Sequence, residues 1–280
     1  MLAGSCQVSI VDPDGVLEVV NYGPGDVWYF PAGHAHAIQT LGTEPCHAIL
    51  AFDDGLYSEH GTFGVTDWIS RLDPDTAGQA LGVAAAALAS LPPGETYIMQ
   101  GEILPLDGPE ARTAKPHGIA HTHRFALGSE TPVIDLPCGS VRAVSAREFP
   151  VSRTMAGLLI RLQPGAMQPP HWHPQASEWH YVVRGRMATS LFAADKRLAQ
   201  AELGPGDCAY IPRGCGHVMR NVGDREAEII AVMDSPRLET ASLADWLSQA
   251  PRHVVANNLR MAARDVPDFK QAKAIVEADR

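Results

Sequence analysis

The chain has 280 residues, with 22 basic and 32 acidic side chains, and its formal net charge at pH 7 is −10. This length is enough for two domains, and a composition with 45% hydrophobic and 19% charged residues is typical of a globular protein. The acidic charge argues against a nucleic-acid partner, and no apolar run reaches the roughly 18 residues that would span a membrane.

The chain contains an internal repeat, which organises the prediction of its elements. Residues 25–36 read GDVWYFPAGHAH and residues 206–217 read GDCAYIPRGCGH. The two segments align at an offset of 181 positions, which pairs His36 with His217. Two related domains are therefore expected.

Short alternating apolar segments, separated by glycine and proline, predict a chain made mainly of strands. Examples are TMAGLLIRL, EWHYVV and EIIAVM, and the 25 glycines and 22 prolines supply the turns between them. Helices are predicted at Asp67 to Ser70, Ala77 to Leu91 and Leu243 to Ser248, and in a tail from Val254 broken at Pro267. The predicted fold class is all-β, with two barrels closing over small interiors and short helices.

These patterns divide the chain into four predicted stretches. They are an incomplete first domain (1–91), a connection rich in proline and glycine (92–138), a complete second domain (139–261) and a tail (262–280). The five cysteines have no CxxC spacing, so free thiols are expected. The connection is expected to be a solvated loop, including its histidines at His117, His121 and His123.

A candidate metal site lies in the second domain, where residues 165–185 read GAMQPPHWHPQASEWHYVVRG. His171 and His173 stand two positions apart, so both rings project from the same face of a strand. Glu178 begins the next strand after a short turn, and His217 comes from the later glycine-rich segment. Three imidazoles and one carboxylate form a mixed nitrogen and oxygen site that suits Mn(II), Fe(II) or Ni(II).

The two spaced motifs, G-x5-H-x-H-x4-E-x6-G and G-x5-P-x-G-x2-H-x3-N, resemble the cupin superfamily. The segments GPGDVWYFPAG, FDDGLYSEHGTFGVTDW and REFPVSRTMAGLLIRLQPGAM narrow the resemblance to the oxalate decarboxylase family of bicupins, from Met1 to about Met261. The resemblance implies two cupin domains of the double-stranded β-helix or jelly-roll type. It also implies manganese, dioxygen as a co-catalyst, conversion of oxalate to formate and carbon dioxide, and a homotrimer or hexamer.

The resemblance also assigns residues in the first domain. It makes Glu59 the catalytic acid of a lid and His36 the one remaining ligand of a first metal site. The other three ligands of that site would fall before Met1, so we expect the chain to be truncated at its amino terminus. Because a targeting peptide would also precede Met1, a cytoplasmic location is only the default expectation.

The second site departs from the family at two positions. Gln168 stands where the family commonly has an arginine that grips the substrate, and Ala231 stands where it has a glutamate. Gln168 remains a candidate substrate-binding residue, but an amide lacks the charged fork of an arginine. The alternatives to a decarboxylase are an oxalate oxidase or another cupin oxygenase, and a non-catalytic metal-binding or storage bicupin.

His180 lies two positions after Glu178 and shares its face of the strand. We expect its ring either to line the barrel or to support a metal ligand through a direct contact.

Overall fold

The computed structural model describes residues 1–55, 63–91, 94, 98–114 and 121–271. The strands of the first part of the chain are β1 (Ser5–Val11), β2 (Leu17–Tyr22), β3 (Val27–Trp28), β4 (Ala35–Leu41), β5 (Arg124–Phe125) and β6 (Ile134–Leu136). The following strands are β7 (Gly139–Val144), β8 (Ala156–Leu162), β9 (Met167–Trp172), β10 (Glu178–Arg184) and β11 (Met187–Ala193). The last are β12 (Arg197–Leu203), β13 (Cys208–Ile211), β14 (Gly216–Asn221), β15 (Ala227–Met233) and β16 (Ala241–Ser242).

The described part of the chain also contains five short α-helices. They are α1 (Val65–Arg71), α2 (Pro74–Leu81), α3 (Ala85–Leu88), α4 (Leu243–Gln249) and α5 (Arg252–Leu259). Over the described ranges, none of the helices is long and apolar enough to cross a membrane. The prediction of an all-β fold with short helices is confirmed.

The chain divides into two compact units, one formed by Met1–Ile49 with Pro105–Arg280 and the other by Leu50–Leu104. The smaller unit contains α1 to α3. The single helix predicted from Ala77 to Leu91 is wrong, because Gly82 ends α2 with a left-handed φ of 70° before α3 begins. The four stretches predicted from the sequence follow the repeat and not these compact units. That division stays a prediction.

The second copy of the repeat forms two antiparallel sheets in the larger unit. One sheet has the order β13-β10-β15-β8-β7-β6 and the other has the order β12-β11-β14-β9-β16. Alternate residues of β10 and β15 are buried, as expected for strands with one face toward a core. The apolar core includes Ile160, Val182, Met187, Met219 and Ile229.

The first copy reproduces part of this topology in the same unit. Its sheet has the order β2-β1-β4, and β3 pairs with β5. With the repeat offset, β2, β1 and β4 correspond to β12, β11 and β14, which are neighbours in the same order in the second copy. The repeat seen in the sequence is therefore also a repeat in strand order.

The expectation that His123 lies in a solvated loop is wrong. Its side chain is buried, and its Nδ1 lies 2.7 Å from Oε2 of Glu18, whose side chain is only 2% exposed. The carboxylate on β2 thus supplies a polar partner that allows the imidazole to be buried. His121 is exposed, and His117 lies outside the described residues.

Candidate metal centre

The four predicted ligands of the second copy meet between its two sheets. His171 on β9 and His217 on β14 are directly opposite each other in one sheet. Glu178 is the first residue of β10 in the other sheet, and His173 follows the end of β9. Four ligand atoms, one from each of these residues, lie within 4.8 Å of one another.

The geometry of this group is compact and buried. Glu178 Oε2 lies 3.2 Å from Nε2 of His173 and 3.1 Å from Nε2 of His217. The ring centroids of His171 and His217 are 4.1 Å apart. The exposed fractions are 8% for His171, 4% for His173, and 1% for both Glu178 and His217.

Backbone carbonyl groups orient all three imidazoles in the same way. The Nδ1–oxygen distances are 2.8 Å for His171 to Pro169, 2.8 Å for His173 to Glu239, and 3.3 Å for His217 to Cys215. A carbonyl oxygen can only accept a hydrogen bond, so a neutral ring held in this way carries its proton on Nδ1 and keeps the lone pair of Nε2. This is the usual arrangement of histidines that bind a metal through Nε2.

The atoms that face the centre lack hydrogen-bond partners within the described part of the chain. They include Nε2 of His173, Nε2 of His217 and Oε2 of Glu178, and both ring nitrogens of the neighbouring His180 also lack partners. These atoms are close to one another, but they do not meet in hydrogen-bonding geometry. Buried polar atoms without partners are costly, and a bound ion is one of the few explanations for such a group. The donor set and these orphaned atoms therefore fit a divalent metal ion.

The electrostatics of the site keep Glu178 and His171 in the forms that bind metal. Burial alone would raise the pKa of Glu178, but His180, His173 and His217 outweigh it and hold that pKa well below its ordinary value. Burial, helped by His217, lowers the pKa of His171 to about 4. Burial would also lower the pKa of His173, but its interaction with Glu178 raises it overall. At neutral pH the carboxylate is ionised and the His171 ring is neutral.

His180 is a further buried histidine next to the four ligands. Its Nε2 lies 3.2 Å from Oε2 of Glu178, and its side chain is fully buried. Both expectations for this residue therefore hold, because the ring lines the interior and also contacts a ligand. The i and i+2 spacing of Glu178 and His180 was the sequence signal for this contact.

Gln168 lies on the same inner face as the ligands. It pairs directly with Met219, two residues after His217 on β14, and the register shifts by one residue between the two pairs. Directly opposed residues share a face, so the bulge at Pro169 and Pro170 turns Gln168 inward with His171. Its side chain is 8% exposed.

Ala231 lies on the other sheet, directly opposite His180. It is fully buried, so its methyl group occupies part of the inner face near the centre. Neither Gln168 nor Ala231 contributes a charge to the interior.

The two residues predicted to act in the first copy are His36 and Glu59. His36 is exposed and stacks on Phe30 at a centroid distance of 4.0 Å. Among the described residues, it is not part of any group of three or more histidine, cysteine or carboxylate ligands. Among the described strands, β4, which carries His36, pairs with β1 alone, whereas β14 pairs with both β11 and the ligand-bearing β9. Glu59 lies outside the described residues, so its role as a lid acid stays a prediction.

Comparison with known proteins gives consistent matches. A family model described as Cupin matches residues 1–88 and 125–266. Oxalate decarboxylase OxdC of Bacillus subtilis is 33% identical over 92% of this chain and 67% of its own length. A probable oxalate decarboxylase of Arthroderma benhamiae is 29% identical over 98% of this chain and 68% of its own length.

Solved structures match over the whole chain. The structure of the Bacillus subtilis oxalate decarboxylase at pH 4.6 has a TM-score of 0.84 and 28% identity, and the match covers 100% of this chain and 73% of that one. A second structure of the same enzyme, from work on its Mn(II) centres, also has a TM-score of 0.84 at 28% identity, with 100% and 74% coverage.

Proposed function

The chain belongs to the cupin family and, within it, to the oxalate decarboxylases, and we propose that it is a manganese-dependent bicupin that converts oxalate to formate and carbon dioxide. The family match in two segments and the whole-chain structural match confirm the predicted membership and the two-cupin architecture. The chain spans 67–70% of the length of the three oxalate decarboxylases it resembles in sequence. The proposed reaction is a carbon–carbon lyase reaction.

The observation that carries the proposal is the convergence of orphaned buried atoms between the two sheets. The Nε2 atoms of His171, His173 and His217 and the carboxylate of Glu178 would hold Mn(II), with Fe(II) or Ni(II) as the alternatives that the same ligand set allows. When bound, Mn(II) supplies Lewis-acid and one-electron redox chemistry at the substrate carboxylates. By family resemblance, dioxygen would act as the co-catalyst.

The charge of the site suits a small dianion. One divalent cation, one ionised Glu178 and neutral imidazoles leave a net positive charge in a buried interior, which would attract oxalate. The amide N–H groups of Gln168, on the same face as His171, can donate hydrogen bonds to a substrate carboxylate. The buried apolar residues of both sheets would limit the access of water to the bound substrate.

The test is the product formed from oxalate by the manganese-loaded protein at mildly acidic to neutral pH. We expect about one formate per oxalate consumed, with the activity lost in His171→Ala. Hydrogen peroxide in place of formate would support the oxidase alternative instead. A full manganese load with no consumption of oxalate would support the non-catalytic alternative, which the uncharged Gln168 and Ala231 favour.

Three expectations from the sequence extend this proposal. Glu59 would act as the lid acid, the chain would assemble as a homotrimer or hexamer, and its location would be the cytoplasm. A Glu59→Gln variant with unchanged formate production would contradict the first, and a native mass equal to one chain would contradict the second. Localisation of the tagged protein in its own cells tests the third.

A further inference from the structure

A second cluster of metal-binding atoms lies in the first copy, where Met1, Cys6 and Cys46 bring three sulfur atoms together. Cys6 Sγ lies 3.7 Å from Met1 Sδ, and Cys46 Sγ lies 3.9 Å from the same atom. Folding thus brings Cys46 into contact with Met1, although the two residues are more than 40 positions apart in the sequence.

The measured sulfur–sulfur distances are short enough for the ligands to share a cation. Two sulfur ligands bound to one ion at about 2.3 Å, the metal–sulfur bond length known for zinc thiolates, lie at most about 4.6 Å apart. The distances from Met1 Sδ to the two thiols, 3.7 Å and 3.9 Å, are within that limit. A small cation could therefore contact all three sulfur atoms without a large movement of the backbone. Two thiolates and a thioether are soft ligands, which select Cu(I) over hard divalent ions.

The surroundings of the cluster are apolar on one side and accessible on the other. Cys6 is fully buried in a core that includes Val8, Tyr22 and Trp28. Cys46 is only half-buried and provides a route for an ion from solvent. Met1 and Cys46 are each partly buried, so the apolar residues around Cys6 shield one side of a bound ion from water.

A bound cation would replace the proton of the Cys6 thiol. Burial, together with Cys46, raises the pKa of the Cys6 thiol to about 12, so Cys6 carries its proton at neutral pH when no cation is bound. The negative charge of Asp26 adds to the same shift. A metal ion can displace these protons because its positive charge stabilises the thiolate ligands directly, as in other thiolate sites.

We propose that Met1, Cys6 and Cys46 form a binding site for a soft monovalent cation of the Cu(I) class, separate from the histidine and glutamate centre. Binding of one Cu(I) ion by two thiolates releases the thiol protons to solvent and leaves the site with one net negative charge, and no electron is transferred. The two sites have different chemistry, because nitrogen and oxygen ligands suit Mn(II) whereas sulfur ligands suit Cu(I).

The test is an anaerobic titration of the full chain, without an extension at its amino terminus, with Cu(I) in competition with a chromogenic Cu(I) chelator. We expect one tightly bound Cu(I) per chain, and binding at least about 100-fold weaker in Cys6→Ser and in Cys46→Ser, since each removes one soft ligand. Cys208→Ser, which changes an exposed thiol of the second copy, is the matched control and should bind as the unchanged protein does.

Two readouts keep the proposal falsifiable if the buried Cys6→Ser variant folds poorly. Cys46→Ser changes a half-buried position, and its manganese content should equal that of the unchanged protein. X-ray absorption of the Cu(I)-loaded protein should show sulfur neighbours at about 2.3 Å. Unchanged Cu(I) affinity in Cys46→Ser, or nitrogen and oxygen neighbours only, would overturn the proposal.

Discussion

His217 and Glu178 lie on strands of two different sheets, yet His217 Nε2 is only 3.1 Å from Glu178 Oε2. Both side chains are 1% exposed. A metal ion bound between them would therefore join the two sheets of the second cupin domain. Metal binding and the stability of this domain should be coupled for that reason.

Replacing Glu178 with glutamine should remove this coupling. We expect Mn(II) to raise the thermal unfolding midpoint of the unchanged protein, by the equivalent of about 2.7 kcal/mol when free metal is 100 times the dissociation constant. Glu178→Gln should gain almost nothing, because an amide oxygen lacks the ligand charge. Calorimetry with and without Mn(II) measures this, and Asp224→Asn, at an exposed turn, is the control. An equal gain in both variants would contradict the assignment of Glu178.

The affinity for Mn(II) should decrease as the pH falls. Glu178 raises the pKa of His173 above its ordinary value of 6.5, so protons compete with the metal for this ring near neutral pH. Below that pKa, each pH unit should weaken binding by about tenfold through His173. His171, with a pKa of about 4, should add to the loss only in more acidic solution.

Free Mn(II), measured by electron paramagnetic resonance between about pH 7.5 and about pH 5.5, tests this dependence. The variant His253→Gln changes an exposed histidine far along the chain from the ligands and should keep the same profile. A dissociation constant that does not change over this range would contradict the described state of His173.

The buried pair of Glu18 and His123 should stabilise the first copy in a pH-dependent way. Burial would raise the pKa of Glu18, but hydrogen bonds from His123 and Thr122 lower it overall. Its contribution is therefore fully present above the ordinary pKa of 4.5 and is lost as the pH falls through the lower folded-state value. Glu18→Gln should cost about 2 kcal/mol at neutral pH, and the difference should shrink in acid.

Urea unfolding of both proteins at several pH values measures this difference. The matched control is Glu202→Gln, which removes the charge from an exposed pair with Arg186 at 2.6 Å. That pair should contribute less than about 1 kcal/mol. A Glu18→Gln penalty no larger than the control, or one that grows in acid, would show that the buried pair has a different role.

Gln168→Arg should strengthen the binding of oxalate to the manganese-loaded second site. The inward-facing position beside His171 would then present a charged, two-pronged donor to a carboxylate. We expect the dissociation constant for oxalate to fall by about tenfold, which corresponds to about 1.4 kcal/mol. Gln168→Lys adds the same charge without the fork and should give a smaller gain. Calorimetric titration that finds no gain in the arginine variant would place Gln168 outside the substrate's reach.

The local spacing of residues in the sequence was sufficient to predict the ligand group. His171 and His173 are two positions apart, and the repeat identifies His217. This pattern is sufficient to predict that the three rings lie in the interior of one barrel. The inward orientation of Gln168 could not be read in the same way. Three positions separate it from His171, and a regular strand would have put the two side chains on opposite faces. The bulge at Pro169 and Pro170 reverses that expectation.

The burial of His123 cannot be predicted from the sequence around it, for a different reason. Its partner Glu18 is 105 residues away in the chain, and nothing in the local sequence around His123 indicates a buried carboxylate. The same holds for Cys6 and Cys46, whose contacts with Met1 depend on how β1 and the segment after β4 end near each other. Long-range contacts of this kind follow from tertiary packing rather than from local periodicity.

The manganese content of the purified protein, compared with that of His171→Ala, tests the central claim most directly. Elemental analysis after loading and desalting should find about one manganese per chain at the second site of the unchanged protein. The variant, which loses one of three imidazoles, should retain almost none while keeping its circular dichroism spectrum. An equal manganese content in the two proteins would contradict the assignment of the metal centre.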